Sequence, residues 1–324
     1  MIDLNYNLAE SFLQQNGYSN FAIKKIAGDA SFRSYYRISF ADKDLILMFA
    51  PPEFEDIRPF IKVDKFLRQN SFLAPEILAI DQENGFLLLQ DFGDISYTKF
   101  LQKNIRSEVE IYKMATDELI KLHQIIPSKY IDLVEKYNNA VLFREVSLFI
   151  DWYLPLNNKK ASLSQKQKFK HLWFEQFDRL HVDANYFVLR DYHADNLMLV
   201  DIDNEKKVGL LDFQDALIGS KAYDLVSLLE DARRDVDQQT VQEILTYYVA
   251  KTGCNKLSLY RDYEILSLQR NIKILGIFAR LALRDNKKSY LDLLPRVLSH
   301  VKNRLKSSNS NLFDLQNFLQ DFLI

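Results

Sequence analysis

Three polar residues between Val188 and Asp215 suit one chemistry by type and spacing. They lie in VLRDYHADNLMLV, a polar turn, and VGLLDFQD. Asn196 stands five residues after Asp191, and Asp212 sixteen residues after Asn196, just ahead of Phe213. Moving a phosphoryl group onto a hydroxyl needs a carboxylate that orients the hydroxyl and accepts its proton. It also needs hard oxygen ligands for the magnesium that carries the nucleotide phosphates. Asp191 fits the first role, and Asn196 with Asp212 fits the second. Any one of the three alone is an ordinary loop residue, since Asp and Asn are common at turns and caps. The joint spacing carries the reading.

The elements that must position them read as a hairpin with an acidic loop in front. Two apolar runs, Leu197–Val200 and Val208–Leu211, bracket the turn DIDNEKK, which is longer than the tight two-residue kind. A short loop, a hairpin and a strand end would bring Asp191, Asn196 and Asp212 together. After them, DALIGSKAYDLVSLLEDARRD opens with a loop at Gly219 and Ser220. Asp224 falls at the start of the next helix, where a carboxylate suits the N-terminal dipole. The expected role of Asp224 is structural, bracing the loop that carries Asp191. Asp231, Arg233 and Arg234 follow that helix and either line a substrate pocket or are solvated.

The pattern D-x4-N followed by D-F resembles the catalytic and metal-binding loops of the protein-kinase-like superfamily, and within it the aminoglycoside/choline phosphotransferase family. The segments AGDASFRSYYR, APPEFEDIRPF, GFLLLQDFGD, RDYHADNLM and LLDFQDALIGSKAYDLVSLL are similar to bacterial anomeric kinases of N-acetylmuramate and N-acetylglucosamine. The likeness runs over nearly the whole chain. It implies an α+β, protein-kinase-like two-lobe fold, with a small antiparallel-sheet N-lobe and a larger, mostly helical C-lobe. It also implies ATP and Mg2+ as cofactors, and phosphorylation of the C1 hydroxyl of an amino sugar in cell-wall sugar recycling. Asp191 carries over as catalytic base, and Asn196 and Asp212 as metal ligands. Backbone around Gln90–Phe92 would hold the adenine. Asp215 would be a further acidic neighbour of the metal or the sugar. His193 stands where protein kinases place a lysine, and either contacts the transferred phosphate or packs the loop.

The N-terminal part supplies the nucleotide end of this reading. Phe21–Ala27, the alternation Phe32, Ser34, Tyr36, Ile38, Phe40, and Leu45–Phe49 read as three strands, after a short helix over Asn7–Gln15. The bend Gly28–Arg33 can lay backbone N–H groups, the Ser31 hydroxyl and Arg33 over phosphates, or serve as a plain hairpin turn. Two positions depart from the superfamily. The third strand has Met48 where kinases carry a phosphate-holding lysine, and Leu189 stands where a histidine is usual. The missing cation would then come from Arg33, Arg58 or Lys62. The next helix is expected over Asp56–Asn70, then two strands around the turn DQENG and a hinge at Asp91–Asp94. Helices follow over Ser107–Ile126, Asn139–Tyr153, Ser162–Val182 and Asp237–Ile324. The expected domains are residues 1–91 and 92–324, with the hairpin in the second.

Composition narrows the class. The 324 residues are 48% apolar and 27% charged with a net charge of −2, which is an ordinary folded protein. No long basic run offers a nucleic-acid footprint. A single cysteine, Cys254, excludes an internal disulfide and a cysteine metal cluster, which fits a reducing cytoplasm. The best apolar run, Ile272–Leu283, is broken by Lys273 and Arg280, so no membrane span is expected. The N-terminus lacks the basic start of a signal peptide. The partner is then a small-molecule amino sugar, and the sequence carries no sign of oligomeric state. Two other readings compete. One is an aminoglycoside or choline/ethanolamine-type kinase, whose pocket would turn several acids towards a cationic amine. The other is a nucleotide-binding pseudokinase regulator, favoured by Met48 and opposed by the intact Asp191, Asn196 and Asp212.

Overall fold

Alternating apolar residues in the N-terminal strands build a sheet with one core-facing side. The computed structural model describes residues 4–26, 32–40, 43–180, 185–306 and 312–323. The chain packs as two units, Met1–Phe100 with Asp195–Asp215, and Leu101–Ala194 with Ala216–Ile324.

In the first unit, helix α1 (Tyr6–Gln15) starts at Asn5, whose side chain accepts from the Leu8 amide at 3.3 Å. Strands β1 (Ala22–Lys25), β2 (Ser34–Phe40), β3 (Lys43–Phe49), β4 (Ile77–Asp81) and β5 (Phe86–Gln90) form an antiparallel sheet in the order β1-β2-β3-β5-β4. Side chains alternate across a strand. Tyr36, Ile38, Leu45, Leu47, Phe49, Phe86 and Leu88 therefore share one face and bury it against Ala9, Phe12 and Leu13 of α1. Each such side chain contributes about 1.5–3 kcal/mol on burial. Met48 points to the other face, between Tyr35 and Leu87 of the neighbouring strands, and is also fully buried. Gly85 closes the β4–β5 turn with φ +73°, and a Cβ there would meet the Ala50 carbonyl oxygen at 1.9 Å. Helix α2 (Arg58–Gln69) follows β3.

The hairpin β7 (Leu197–Ile202) and β8 (Glu205–Leu210) is tighter than its sequence suggests. Pairing runs to Ile202 and Glu205, and only Asp203 and Asn204 turn, at φ 53° and 64°. Two successive positive-φ residues make the two-residue turn that matches strand twist, and Asp and Asn tolerate it. The hairpin, expected with the second domain, is bonded into the first unit. The Leu210 amide donates to the Leu73 carbonyl and the Leu199 amide to the Ile95 carbonyl, each at 2.8 Å. A Cβ on Gly209 would lie 2.8 Å from the Phe92 ring, so glycine is needed for this approach.

The second unit is helical apart from β6 (Tyr186–Val188), which pairs with β9 (Leu217–Gly219). Helix α3 (Tyr97–Lys103) leads the chain into it. Helix α4 (Glu108–His123) starts at Ser107, whose side chain makes no cap hydrogen bond. Helix α5 (Asn139–Leu148) continues through a π-helical turn, Phe149–Tyr153, into the single turn α6 (Leu154–Leu156). Helix α7 (Leu163–Phe177) has a full capping box between Ser162 and Gln165. Then come α8 (Ala222–Leu229), α9 (Gln238–Thr252), α10 (Lys256–Leu283), α11 (Leu294–Leu305) and α12 (Phe313–Leu323). Helix α10 is the axis of this core, and it carries buried polar residues, Gln269, Arg270, Asn271 and Lys273, on its inner faces. No helix among the described residues is long and apolar enough to cross a membrane.

Candidate active site

The site residues fall into two sets, one in each unit. In the first unit, Asn196 precedes β7 and Asp212 follows β8, and pairing of the hairpin brings their ends together. The Leu211 amide donates to the Asn196 carbonyl at 3.0 Å, and Asn196 Nδ2 donates to Asp212 Oδ2 at 3.3 Å. Asp212 sits at φ +57°, a conformation that Asp tolerates and most residues avoid. Phe213, buried next to it, packs at a tilt on Phe60 of α2 with ring centroids 4.9 Å apart. Gln214 Nε2 donates to Asp212 Oδ1 at 3.0 Å and to Asp215 Oδ2 at 3.2 Å, so Asp215 joins this group. Arg33 adds the cation, its Nη2 donating to Asp212 Oδ1 at 3.4 Å, with Glu55 at 4.0 Å. Burial works against the Arg33 charge, but Tyr35, Asp212, Glu55 and Asp215 outweigh it and hold the guanidinium above its usual range.

Among the described residues, no group of three or more His, Cys, Asp or Glu side chains is placed to hold a metal. The set at Asp212 is of a different kind: one or two carboxylates and an amide oxygen, all hard donors. That fits magnesium, which keeps several waters and relies on one or two carboxylates plus substrate phosphates.

At the end of β5, the Gln90 amide donates to the Glu76 carbonyl at 2.8 Å. Asp91 and Asp94 clamp Arg37, Asp94 at 3.0 Å, and Asp91 also accepts from the Gly93 amide at 2.7 Å. This fixes the segment that carries Phe92. Gly28 and Ser31 lie outside the described residues. Arg58 pairs with its near neighbour Asp56 at 2.7 Å and is exposed.

In the second unit, Asp191 sits in the loop after β6, on a strained backbone. Arg190 has φ +71°, which costs a side-chain-bearing residue about 1–2 kcal/mol. Asp224 sustains it. Fully buried in the first turn of α8, it accepts from the amides of Leu189 and Arg190 at 2.7 and 2.8 Å. This is the bracing role expected from the sequence. Burial pushes the Asp224 carboxyl up to about 7 against the pull of those two amides. The Arg190 side chain pairs with Glu145 and lies over the Tyr137 ring, its guanidinium carbon 5.5 Å from the centroid. Glu145 also accepts from Lys273 and Gln269 of α10, each at 3.0 Å, and from the Tyr137 hydroxyl. The Tyr192 hydroxyl donates to the Ala115 carbonyl at 2.8 Å, tying the loop to α4.

The electrostatics suit a base. Burial pushes the Asp191 carboxyl up, but Lys273 and Arg190, with Arg270 behind them, outweigh it and hold it below its ordinary value. Asp191 therefore stays ionised at neutral pH.

The remaining expected residues divide. His193 is buried, with Nε2 3.3 Å from Arg233 Nη1. Arg234 is committed elsewhere: it donates to Glu108 at 2.7 Å and to the Tyr112 hydroxyl at 2.6 Å. A histidine outside these expectations, His123, packs, hydrogen-bonded to the Tyr248 hydroxyl at 2.7 Å and edge-on to Tyr186. Sequence reasoning missed Glu145, Arg190 and Arg270, and noted Lys273 only as a charge interrupting an apolar run. That interruption was the available signal, because a charge on an inner helix face must have a buried partner.

An N-terminal antiparallel sheet, a helical remainder and a strained aspartate loop describe a phosphotransferase of protein-kinase-like, α+β fold, as expected. Residues 22–260 match the phosphotransferase enzyme family, and the chain belongs to it. It is 36% identical over 287 residues to an N-acetylmuramate/N-acetylglucosamine kinase of Pseudomonas aeruginosa, covering 85% of this chain and 81% of that one. Its fold matches ADP-bound aminoglycoside phosphotransferase APH(2'')-Ib with a TM-score of 0.61 at 14% identity, over 93% of this chain and 99% of that one. It matches a choline kinase of Streptococcus pneumoniae at 0.66 and 11%, over 92% and 99% of the two chains.

Proposed function

We propose that this protein transfers the γ-phosphoryl group of ATP to the C1 hydroxyl of N-acetylmuramate or N-acetylglucosamine, in the cytoplasm, within cell-wall sugar recycling. The 36% identity to a kinase of those two sugars, over four-fifths of both chains, carries the reading. The ionised, positively flanked Asp191 is consistent with it.

In this mechanism Asp191 positions the sugar hydroxyl in line and takes its proton late, as charge builds on the transferring group. The cations around Asp191 keep it ionised without protonating it. Asn196 and Asp212 are the residues that would hold magnesium, with Asp215 as an outer carboxylate. Magnesium, when bound, supplies neutralisation of phosphate charge. Arg33 is the cation proposed for the nucleotide phosphates in place of the lysine absent at Met48, and Phe92 marks the backbone proposed for adenine. Both carboxylate and hydroxyl act in one displacement, so no phospho-enzyme is required.

The test is ADP release with Mg-ATP across N-acetylmuramate, N-acetylglucosamine, choline and kanamycin, with the product located by NMR. Phosphate at C1 of an amino sugar is the expected result. Turnover confined to choline or kanamycin would overturn the substrate, and ATP binding without turnover would turn the reading towards a pseudokinase. Asp191→Asn should lower turnover about 10³-fold, within the usual range for a lost general base, while leaving ATP binding intact.

A further inference from the structure

The segment after α8 holds four charged residues in a row of five, and two of them are structurally committed. Glu230 has its carboxylate filled by Ser267 at 2.6 Å and by Asn271 and Arg304 at 2.7 Å. Arg234 is bound to Glu108 and Tyr112. Asp231 is different. It is 1% exposed, its Oδ1 accepts from the Arg233 amide at 2.8 Å, and its Oδ2 has no hydrogen-bond partner among the described residues.

His193 supplies the other half. Arg233 Nη1 stands 3.3 Å from its Nε2. A guanidinium can only donate. In this contact Nε2 therefore accepts, and the ring proton sits on Nδ1. An imidazole whose Nε2 lone pair faces an arginine N–H cannot at the same time be an imidazolium. The charged group acting most strongly on the ring is the buried Asp231 carboxylate, whose Oδ1 accepts from the Arg233 amide and so fixes the residue that donates to Nε2.

We propose that Arg233 and Asp231 are positioning residues that hold His193 as a neutral imidazole, protonated on Nδ1, beside the Asp191 carboxylate. The inference rests on Asp191 being the base. Its consequence is that His193 adds no positive charge next to that base, and that its Nε2 is engaged by Arg233. His193 is then no substitute for the phosphate-contacting lysine that kinases carry at this place.

The charges facing the ring are Asp191 on its own loop, Asp231 and Arg233 after α8, and Arg270 from α10. Two carboxylates favour the imidazolium and two guanidiniums oppose it. Burial then decides, and it pushes His193 below the ordinary imidazole value.

The experiment is long-range 1H–15N NMR on the full chain labelled in its five histidines, from pH 5 to 8, with His193 assigned by His193→Gln. In the wild type, His193 is expected as the neutral Nδ1–H form with no titration in that range. Arg233→Gln, which can accept as well as donate, should raise the pH at which His193 titrates, towards the ordinary imidazole value. Its kcat/KM for the amino sugar should then fall about tenfold per pH unit below that point, while Arg233→Lys, still a donor only, should not. A wild-type His193 that is the Nε2–H form, or that titrates normally, overturns the proposal whether or not the variants fold. The NMR result does not depend on turnover, so failure of the sugar panel would strike the functional reading and leave this one readable.

Discussion

Replacing Asp224 by alanine tests the strained loop directly. Asp224 accepts from two buried backbone amides, those of Leu189 and Arg190. Each amide left without a partner costs about 1–3 kcal/mol, so the pair costs roughly 2–6 kcal/mol. Part is recovered, because a carboxyl pushed up to about 7 is disfavoured in its charged form. The same two bonds hold Arg190 at φ +71°. Without them the backbone can relieve about 1–2 kcal/mol of strain by leaving that conformation. Asp191 is the next residue and would move with it. A misplacement of about 1 Å costs about 10²-fold in rate. Asp224→Ala should therefore lower kcat about 100-fold, with KM for ATP unchanged, and lower the unfolding midpoint by several degrees. Asp224→Asn keeps one acceptor oxygen and should show a smaller loss on both measures. Steady-state kinetics and thermal unfolding on the same preparations read the two effects separately. An alanine variant with wild-type kcat and midpoint would refute the idea that Asp224 sets the loop.

Other predictions follow from the same charges. Because Asp191 is held below its ordinary value, the acid limb of the rate profile should lie below about pH 4, with kcat flat from pH 5 to 7. The stability Asp191 contributes is present above its unfolded value, about 3.9, and is lost as pH falls through the lower folded value; unfolding between pH 5 and 3 checks this. Asp64 of α2 has the opposite sign. It is 2% exposed, its Oδ1 has no hydrogen-bond partner, and burial pushes its carboxyl up to about 7. Its favourable contribution is fully present below the unfolded value, about 3.9, and is lost as pH rises through about 7, so Asp64→Asn should flatten the decline in midpoint between about pH 4 and 7. Met48→Lys should destabilise the sheet without raising turnover, since it places a charge at a fully buried position between Tyr35 and Leu87.

The parts of the fold that were legible are those set by local pattern. Alternation in SYYRISF marked β2, the short apolar run LILMF marked β3, and the carboxylate at the start of α8 identified Asp224 as a brace from its position alone. The hairpin was found but its turn was misjudged. The stretch DIDNEKK looks uniformly polar, and only the pairing of Ile202 with Glu205 reveals that Asp203 and Asn204 do all the turning. The hairpin's attachment to the first unit was not legible either. It depends on backbone bonds to Leu73 and Ile95, more than a hundred residues away, and backbone bonds leave no mark on side-chain pattern.

The candidate site shows the same division between local and distant. Asp191, Asn196 and Asp212 were visible because their spacing is short. What keeps Asp191 ionised was not, because Lys273 and Arg270 come from a helix some eighty residues on. Glu145, which holds Arg190 and Lys273 together, comes from another, forty-five residues back. Each of these charges, alone on an apolar helix face, would be costly. Together they pair off: Glu145 is held below its ordinary value by Lys273 and Arg190 against its burial, and the surplus positive charge is left facing Asp191. A charge that breaks a helix's apolar stripe is therefore the sequence signal to follow. Lys273 in Ile272–Leu283 was such a break, and its partner could be named only once α5 and α10 were packed side by side.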